Sequence, residues 1–287
     1  MAILLIIKYA LLFILFAASP WLHADRGRLL PISQELDGLA VRHPDVLRIL
    51  NIGVSRTGMP LKVGVIPPST QGSVKKIYVN GAHHGDEGVT AHASLALIRY
   101  FLGLEDYFRQ ELLAGVQLYI QPVVNPDGFI NASRYDSLGL DPNRDYPFPH
   151  KEGFAFRVMA IRHIRDFMEK QKFSGALTLH SGMLGVLWPW CYSHIEPPDA
   201  KKFRVLATIV ATAMGVDYVS QSSHDYLSTG EFIDYAYMRY HIPALTLEIS
   251  RDRVANDAEA DSDARVVSGT LAYIKALQNN GFFEMAH

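Results

Sequence analysis

The chain has 287 residues, of which 49% are hydrophobic and 20% charged, a composition that supports one large buried core. Lys and Arg total 27 against 29 Asp and Glu, giving a formal net charge of -2, and neither sign dominates a long stretch. That balance excludes the electrostatic footprint of a nucleic-acid binder or of an anionic-membrane binder.

Residues 1–18 are apolar apart from Lys8, and Ser19, Pro20 and Ala24 lead into Asp25-Arg26-Gly27-Arg28. The pattern is that of a secretory signal peptide over residues 1–24, followed by one folded domain over 25–287, and it places the protein in the periplasm or outside the cell. The apolar heart of this segment, residues 9–18, is shorter than the roughly 20 apolar residues of a membrane span. Counted from Ala2 past Lys8 the run almost reaches that length, so an uncleaved N-terminal anchor is the alternative. A single cysteine, Cys191, excludes an intrachain disulfide and reads as a buried apolar filler.

Beyond this segment, Leu36, Leu39 and Ala40 follow Ser33 at helical spacing. Strand-like runs at 46–52 and 60–66, separated by turn residues 55–58, predict a hairpin-like start. Residues 76–80 read as a buried strand, 87–102 as a helix rich in Ala, Leu and Ile, and 116–122 as another strand. Phe156, Met159, Ala160, Ile164, Phe167 and Met168 recur at three and four residues, which predicts an amphipathic helix with Arg157, Arg162, Arg165 and Lys170 on its polar side. A strand at 176–179, a helix at 200–214, a strand at 244–249 and a last helix carrying Val267, Leu271 and Ile274 complete the order. Strands alternating with helices predict a single α/β domain, with a mixed, mostly parallel central sheet flanked by helices on both faces. Ligand sites in such sheets lie beyond the carboxyl ends of the strands.

Strand 76–80 runs into Gly81-Ala82-His83-His84-Gly85-Asp86-Glu87, where His84 and Glu87 stand three residues apart at a strand-to-helix turn. That spacing aims both side chains at one point. A catalytic zinc takes three protein ligands of imidazole and carboxylate type and keeps a fourth position for water. His180, which ends a strand and opens the Gly-rich loop Ser181-Gly182-Met183, is the third. His-x-x-Glu is a short pattern in a chain with 12 histidines, and a structural role is the competing reading for each of them. His83 is the nearest competitor and is expected to satisfy a local hydrogen bond.

The ordered series of motifs resembles the zinc carboxypeptidase family, the metallocarboxypeptidases that include pancreatic carboxypeptidases and bacterial murein peptide amidases. It comprises residues 51–55 with Gly58-Met59-Pro60, then His84-Gly85-Asp86-Glu87, Asn125-Pro126-Asp127-Gly128 and Arg134. Gly139-x-Asp141-x-Asn143-Arg144, His180-Ser181-Gly182, Tyr226 ahead of Gly230, and Leu247-Glu248 complete it. The resemblance implies one zinc ion on His84, Glu87 and His180, with Glu248 as the general base that later protonates the leaving amine. It also implies that Arg134 donates to the oxyanion, that Asn143 and Arg144 grip the free carboxylate of the substrate, and that Tyr226 closes over it. For Glu248 the competing reading is a salt bridge to Arg251 or Arg253; for Arg144 it is pairing with Asp141 or Asp145.

The implied activity is removal of a C-terminal residue from a peptide by a monomeric enzyme. The alternatives are cleavage of a murein peptide at a bond to diaminopimelate, a non-catalytic zinc- or peptidoglycan-binding module, and a deacylase of the aspartoacylase type, against which the Tyr226 loop argues. Asp86 stands where digestive members carry an arginine, and no long propeptide separates the leader from the domain, which implies a bacterial-type enzyme made without a zymogen stage. Glu231, beside Gly230, is a candidate for preferring a cationic terminal side chain.

Overall fold

A computed structural model describes residues 28–69, 74–149, 152–252 and 260–279. The proposed leader at 1–24 and Arg253 lie outside the described residues. The chain opens with helix α1 (Leu29–Arg42), whose Ile32, Leu36 and Leu39 face inward. Strands β1 (Arg48–Val54) and β2 (Pro60–Ile66) pair antiparallel, as the turn residues between them predict. Then come β3 (Lys75–Asn80), α2 (Gly88–Gly103), α3 (Asp106–Leu112), β4 (Val116–Gln121) and the single-turn α4 (Pro126–Ile130). The second half runs α5 (Met159–Gln171), β5 (Gly175–His180), β6 (Met183–Trp188), α6 (Ala200–Met214), β7 (Val219–Gln221), α7 (Phe232–Tyr240), β8 (Ala244–Ser250) and α8 (Ala260–Gln278).

The eight described strands form one sheet in the order β1-β2-β4-β3-β5-β8-β6-β7. Its centre is parallel, through β4–β3, β3–β5 and β5–β8, and the antiparallel pairs β1–β2, β2–β4 and β6–β8 lie towards the margins. The α/β class, the mixed sheet and the helices on both faces hold as expected.

Alternation along the strands divides the apolar residues between two cores, because successive side chains point to opposite faces. On β3, Ile77 and Val79 join one cluster and Tyr78 the other; on β4, Leu118 and Ile120 separate from Tyr119 in the same way. The first cluster packs under α1, α2, α6 and α8 through Leu36, Phe101, Phe203 and Ile274. The second lies under α5 and α7 through Ile164, Phe167 and Phe232, with Tyr78 stacked on Phe173 at a ring separation of 5.1 Å. Fully burying one such side chain is worth about 1.5–3 kcal/mol, which is why strands with both faces covered read as continuous apolar runs.

Two expectations need correction. The helix read from Phe156 begins only at Met159, because Phe156 itself has φ 60, outside helical space, and Val158 is extended. Residues 181–183 are a shorter connection than a loop opening at Ser181 suggests, since Met183 already starts β6 and pairs with Ser250 of β8. No helix among the described residues is long and apolar enough to cross a membrane.

Candidate active site

Asn80 ends β3, and the turn after it is held by Gly81 N–H to Gln121 O (2.9 Å) and by Ala82 N–H to the Thr90 hydroxyl (2.8 Å). Glycine is required at position 85 by close approach: a Cβ there would lie 2.1 Å from the backbone of Gly128 and Phe129. Glu87 is the N-cap residue of α2, but its carboxylate makes no capping bond and turns instead to the two histidines. Oε1 lies 2.8 Å from His84 Nδ1, and Oε2 lies 3.0 Å from His180 Nδ1 and accepts from Ser181 N–H at 3.2 Å.

The rings of His84 and His180 are 4.8 Å apart. One ligand atom from each of His84, Glu87 and His180 lies within 4.8 Å of the others, and all three residues are buried. Two imidazoles and a carboxylate converging from separate elements are a donor set that fits a divalent cation. Burial raises the Glu87 carboxyl, but the charges of His84 and His180 and the hydrogen bonds to them outweigh it and hold the group below the usual carboxylate range. Burial depresses the His84 imidazole, and Glu87 and Asp141 together reverse that and lift it to about 9. The cluster therefore favours positive charge between its donors.

His83 behaves as expected for the competitor. It is fully buried, with Nε2 2.9 Å from the Tyr146 hydroxyl and Nδ1 3.3 Å from the Thr178 hydroxyl. Burial, and then the neighbouring His180 and His84, push its imidazole well below its ordinary value.

Glu248 lies on β8 directly opposite His180 of β5, in the same parallel ladder. Its Oε2 is buried without a hydrogen-bond partner, and among the described residues no salt bridge forms, Arg251 included. Burial first, then the charge of Glu87, pushes the carboxyl up to about 8. Glu248, the histidine pair and Glu87 line one cavity of about 340 Å³, together with Arg134, Asn143, Tyr226 and Glu231.

Arg134 enters that cavity with Nε donating to Asp141 Oδ2 (2.8 Å) and Nη1 3.3 Å from His84 Nδ1. Asp141 was part of the recognised pattern without a role, yet its other oxygen lies 3.2 Å from His84 Nε2. One carboxylate thus orients both the arginine and the histidine, and its place in the Gly139-x-Asp141-x-Asn143-Arg144 motif was the available signal. Asn143 accepts from Phe232 N–H at 3.0 Å and presents its amide nitrogen 3.4 Å from His180 Nε2. Arg144 pairs with neither Asp141 nor Asp145: Nη1 lies 3.1 Å from Glu231 Oε1, and Nη2 donates to the Tyr226 hydroxyl at 2.9 Å. Tyr226 is 56% exposed, on the rim. Gly230, at φ 76, packs so closely that a Cβ would sit 2.5 Å from Arg144 O, which fastens the 226–231 loop to the arginine. Glu231 is buried rather than facing solvent, and its neighbour Asp234 accepts from the N–H groups of Cys191 and Tyr192.

The sequence model of the zinc carboxypeptidase family matches residues 32–265. Carboxypeptidase SOL1 of Arabidopsis thaliana is 27% identical over 259 residues, covering 82% of this chain and 52% of that protein. Carboxypeptidase B of Astacus astacus is 24% identical over 215 residues, covering 64% of this chain and 70% of that one. The chain thus spans about half the length of the plant relative. Among solved structures, bovine thrombin-activatable fibrinolysis inhibitor, in complex with tick carboxypeptidase inhibitor, superposes with a TM-score of 0.76 at 18% identity over 88% of this chain and 97% of that one. A metallo-carboxypeptidase from Burkholderia cenocepacia gives 0.69 at 18% identity over 87% and 69%. With a donor set that fits the metal and a family match across most of its length, this chain belongs to the zinc carboxypeptidase family, and its cofactor is zinc.

Proposed function

We propose that this chain is a zinc-dependent metallocarboxypeptidase that hydrolyses the C-terminal peptide bond of a peptide. The observation that carries the reading is the meeting, in one cavity, of a three-donor set for a divalent cation with the half-buried carboxylate of Glu248, whose enclosed Oε2 has no partner. A structural glutamate at that depth would be paired, since an isolated buried charge is strongly destabilising.

His84, Glu87 and His180 hold the metal in this reading. Zinc, when bound, supplies a Lewis acid that acidifies water and polarises a carbonyl. Glu248 accepts the proton of the attacking water on its carboxylate and returns it to the leaving amine. Arg134, held by Asp141, donates to the oxygen of the scissile carbonyl as negative charge builds there. Arg144 and Asn143 take the free carboxylate, to which the planar fork of arginine is matched. Tyr226 closes over the substrate from its exposed position.

Hydrolysis of hippuryl-type peptides that a chelator abolishes, zinc restores and Glu248→Gln removes is the expected result; zinc retention without turnover of any peptide would identify a binding module instead. The second reading, cleavage of a murein peptide, rests on Glu231 and Arg144 lying together, charges that complement the amine and carboxylate of diaminopimelate. Presenting murein tripeptide beside the hippuryl substrate separates the two by which is cut. Export and a monomeric state belong to this proposal and rest on the sequence alone; mass determination of the mature N-terminus and gel filtration test them.

A further inference from the structure

The sheet ends at β7, and beside that edge lies a second cavity of about 330 Å³ that shares no lining residue with the cavity of the metal donors. It is lined by Trp188 at the end of β6, Gln221 at the end of β7, Arg204 and Thr208 of α6, and by Glu196 and His224. Trp188 is 3% exposed and Gln221 1%, yet among the described residues Trp188 Nε1 and Gln221 Oε1 have no hydrogen-bond partner. Gln221 cannot exchange the ends of its amide, because Nε2 faces the carbonyl oxygens of Ser193 at 2.7 Å and of Trp190 and Ile195 at 3.4 Å, which only accept. One unspent donor and one unspent acceptor remain. Trp188 and Gln221 are register partners in the β6–β7 ladder, so their side chains leave the sheet on the same face.

Buried polar groups are strongly disfavoured unless they are paired, so these two call for a group that takes and gives a hydrogen bond at once. A hydroxyl does both through one oxygen, accepting from the indole and donating to the amide. A carboxylate has no proton for Gln221 Oε1, and an ammonium has no lone pair for Trp188 Nε1. The carboxylate and the guanidinium of the lining, Glu196 and Arg204, pair with each other and leave little net charge for an ion to neutralise. The volume is about ten times the ~30 Å³ that one water takes up in the liquid, which is room for a ring bearing several hydroxyls. Thr208 Oγ1 donates to Arg204 O at 2.8 Å and keeps its lone pairs for such a ring.

We propose that this cavity binds a neutral saccharide, with one hydroxyl held between Trp188 Nε1 and Gln221 Oε1 and its neighbours on Arg204, Glu196 and Thr208. Residues 221–226 serve both cavities: Gln221 and His224 line this one, while Ser222, Asp225 and Tyr226 line that of the metal donors. A saccharide held here therefore lies against the segment that carries Tyr226, whether it arrives attached to the substrate or free in solution.

The test is calorimetric titration of the zinc-loaded full chain with methyl β-glucoside and with N-acetylglucosamine. It needs no hydrolysis, so failure of the hydrolase reading does not touch it. Saturable binding of either sugar, with a dissociation constant on the order of 1 mM, is expected. Trp188→Phe keeps a ring against Phe203 and deletes the N–H, and Arg204→Met removes an exposed guanidinium; each should weaken binding about tenfold. A wild type that binds neither sugar overturns the proposal and leaves water as the group between Trp188 and Gln221. Binding that Trp188→Phe retains in full overturns it too, since the sugar then sits elsewhere. If Trp188→Phe does not fold, Arg204→Met decides in the same directions. Two further arms separate the sources. A glycosylated peptide cut faster than the bare one by the wild type but not by Trp188→Phe marks a saccharide borne by the substrate. A change in kcat/KM for the bare peptide when free sugar is added, lost in Trp188→Phe, marks a free effector.

Discussion

Glu248, half-buried, and Asp234, buried, both have raised pKa values, but their surroundings set them to different tasks. Glu248 has an oxygen without a hydrogen-bond partner and lines the cavity of the metal donors, so Glu248→Gln should lower kcat on the order of 1000-fold with KM little changed, measured on a peptide the wild type cleaves. Asp234 is fully used as an acceptor under Cys191 and Tyr192, and burial followed by the charge of Glu231 pushes its carboxyl up to about 7. Because this folded value lies above the unfolded one near 3.9, the group binds a proton more tightly in the native state. Its stabilisation is complete below about pH 4 and disappears as pH rises through about 7. The melting temperature of wild type relative to Asp234→Asn should therefore decline between these limits, and a flat difference would show that the carboxyl stays ionised throughout. Asp141, which holds His84 on one oxygen and Arg134 on the other, should lower zinc affinity about 10–100-fold when changed to Asn, read by competition with a chromogenic chelator.

At the scale of elements, the turn joining β3 to α2 carries two of the three metal donors and leans on the backbone of α4. Gly85→Ala forces that backbone apart, so it should destabilise the fold by about 1–3 kcal/mol and reduce bound zinc per chain, checked by denaturant unfolding and metal analysis. Much of this level was legible in the chain itself. Strands β3, β4, β5 and β8 are short apolar runs between polar turns, and α6 ends where Gly215 adopts the left-handed conformation that only glycine takes without strain. Strand β6 was hidden because both its faces are covered in its second half, leaving Met-Leu-Gly-Val-Leu-Trp without alternation beside a glycine. Helix α7 was hidden because Phe-Ile-Asp-Tyr-Ala-Tyr is rich in residues that favour strands, and tertiary packing of Phe232 and Tyr237 overrides that preference. At the site, motif order brought out every residue now lining the cavity with a proposed role. The Arg144–Glu231 pair could not be read, since the two stand far apart in sequence and only the tight passage of Gly230 past Arg144 brings them together.

For the molecule as a whole, the metal donors join parts of the chain that are 93 residues apart at Glu87 and His180. Zinc that binds only the native arrangement stabilises it by mass action, about 4 kcal/mol at 1000 times its dissociation constant. Removing it with a chelator should lower the melting temperature by roughly 10 °C in a domain of this size, and an unchanged transition would mean that zinc binds weakly or holds the unfolded chain as tightly. The facing of His180 and Glu248 across β5 and β8 has a consequence for how such a protein can change. Neighbouring strands run about 4.8 Å apart wherever their amides are joined, so the gap between the metal donor His180 and Glu248, the proposed base, is ruled by main-chain geometry. Glu231 and Tyr226, placed at a substrate's end in the proposed reading, stand on the 226–231 segment, outside that frame of paired strands. Preference for one terminal amino acid over another can therefore drift, or be redesigned, while the reacting groups keep their spacing.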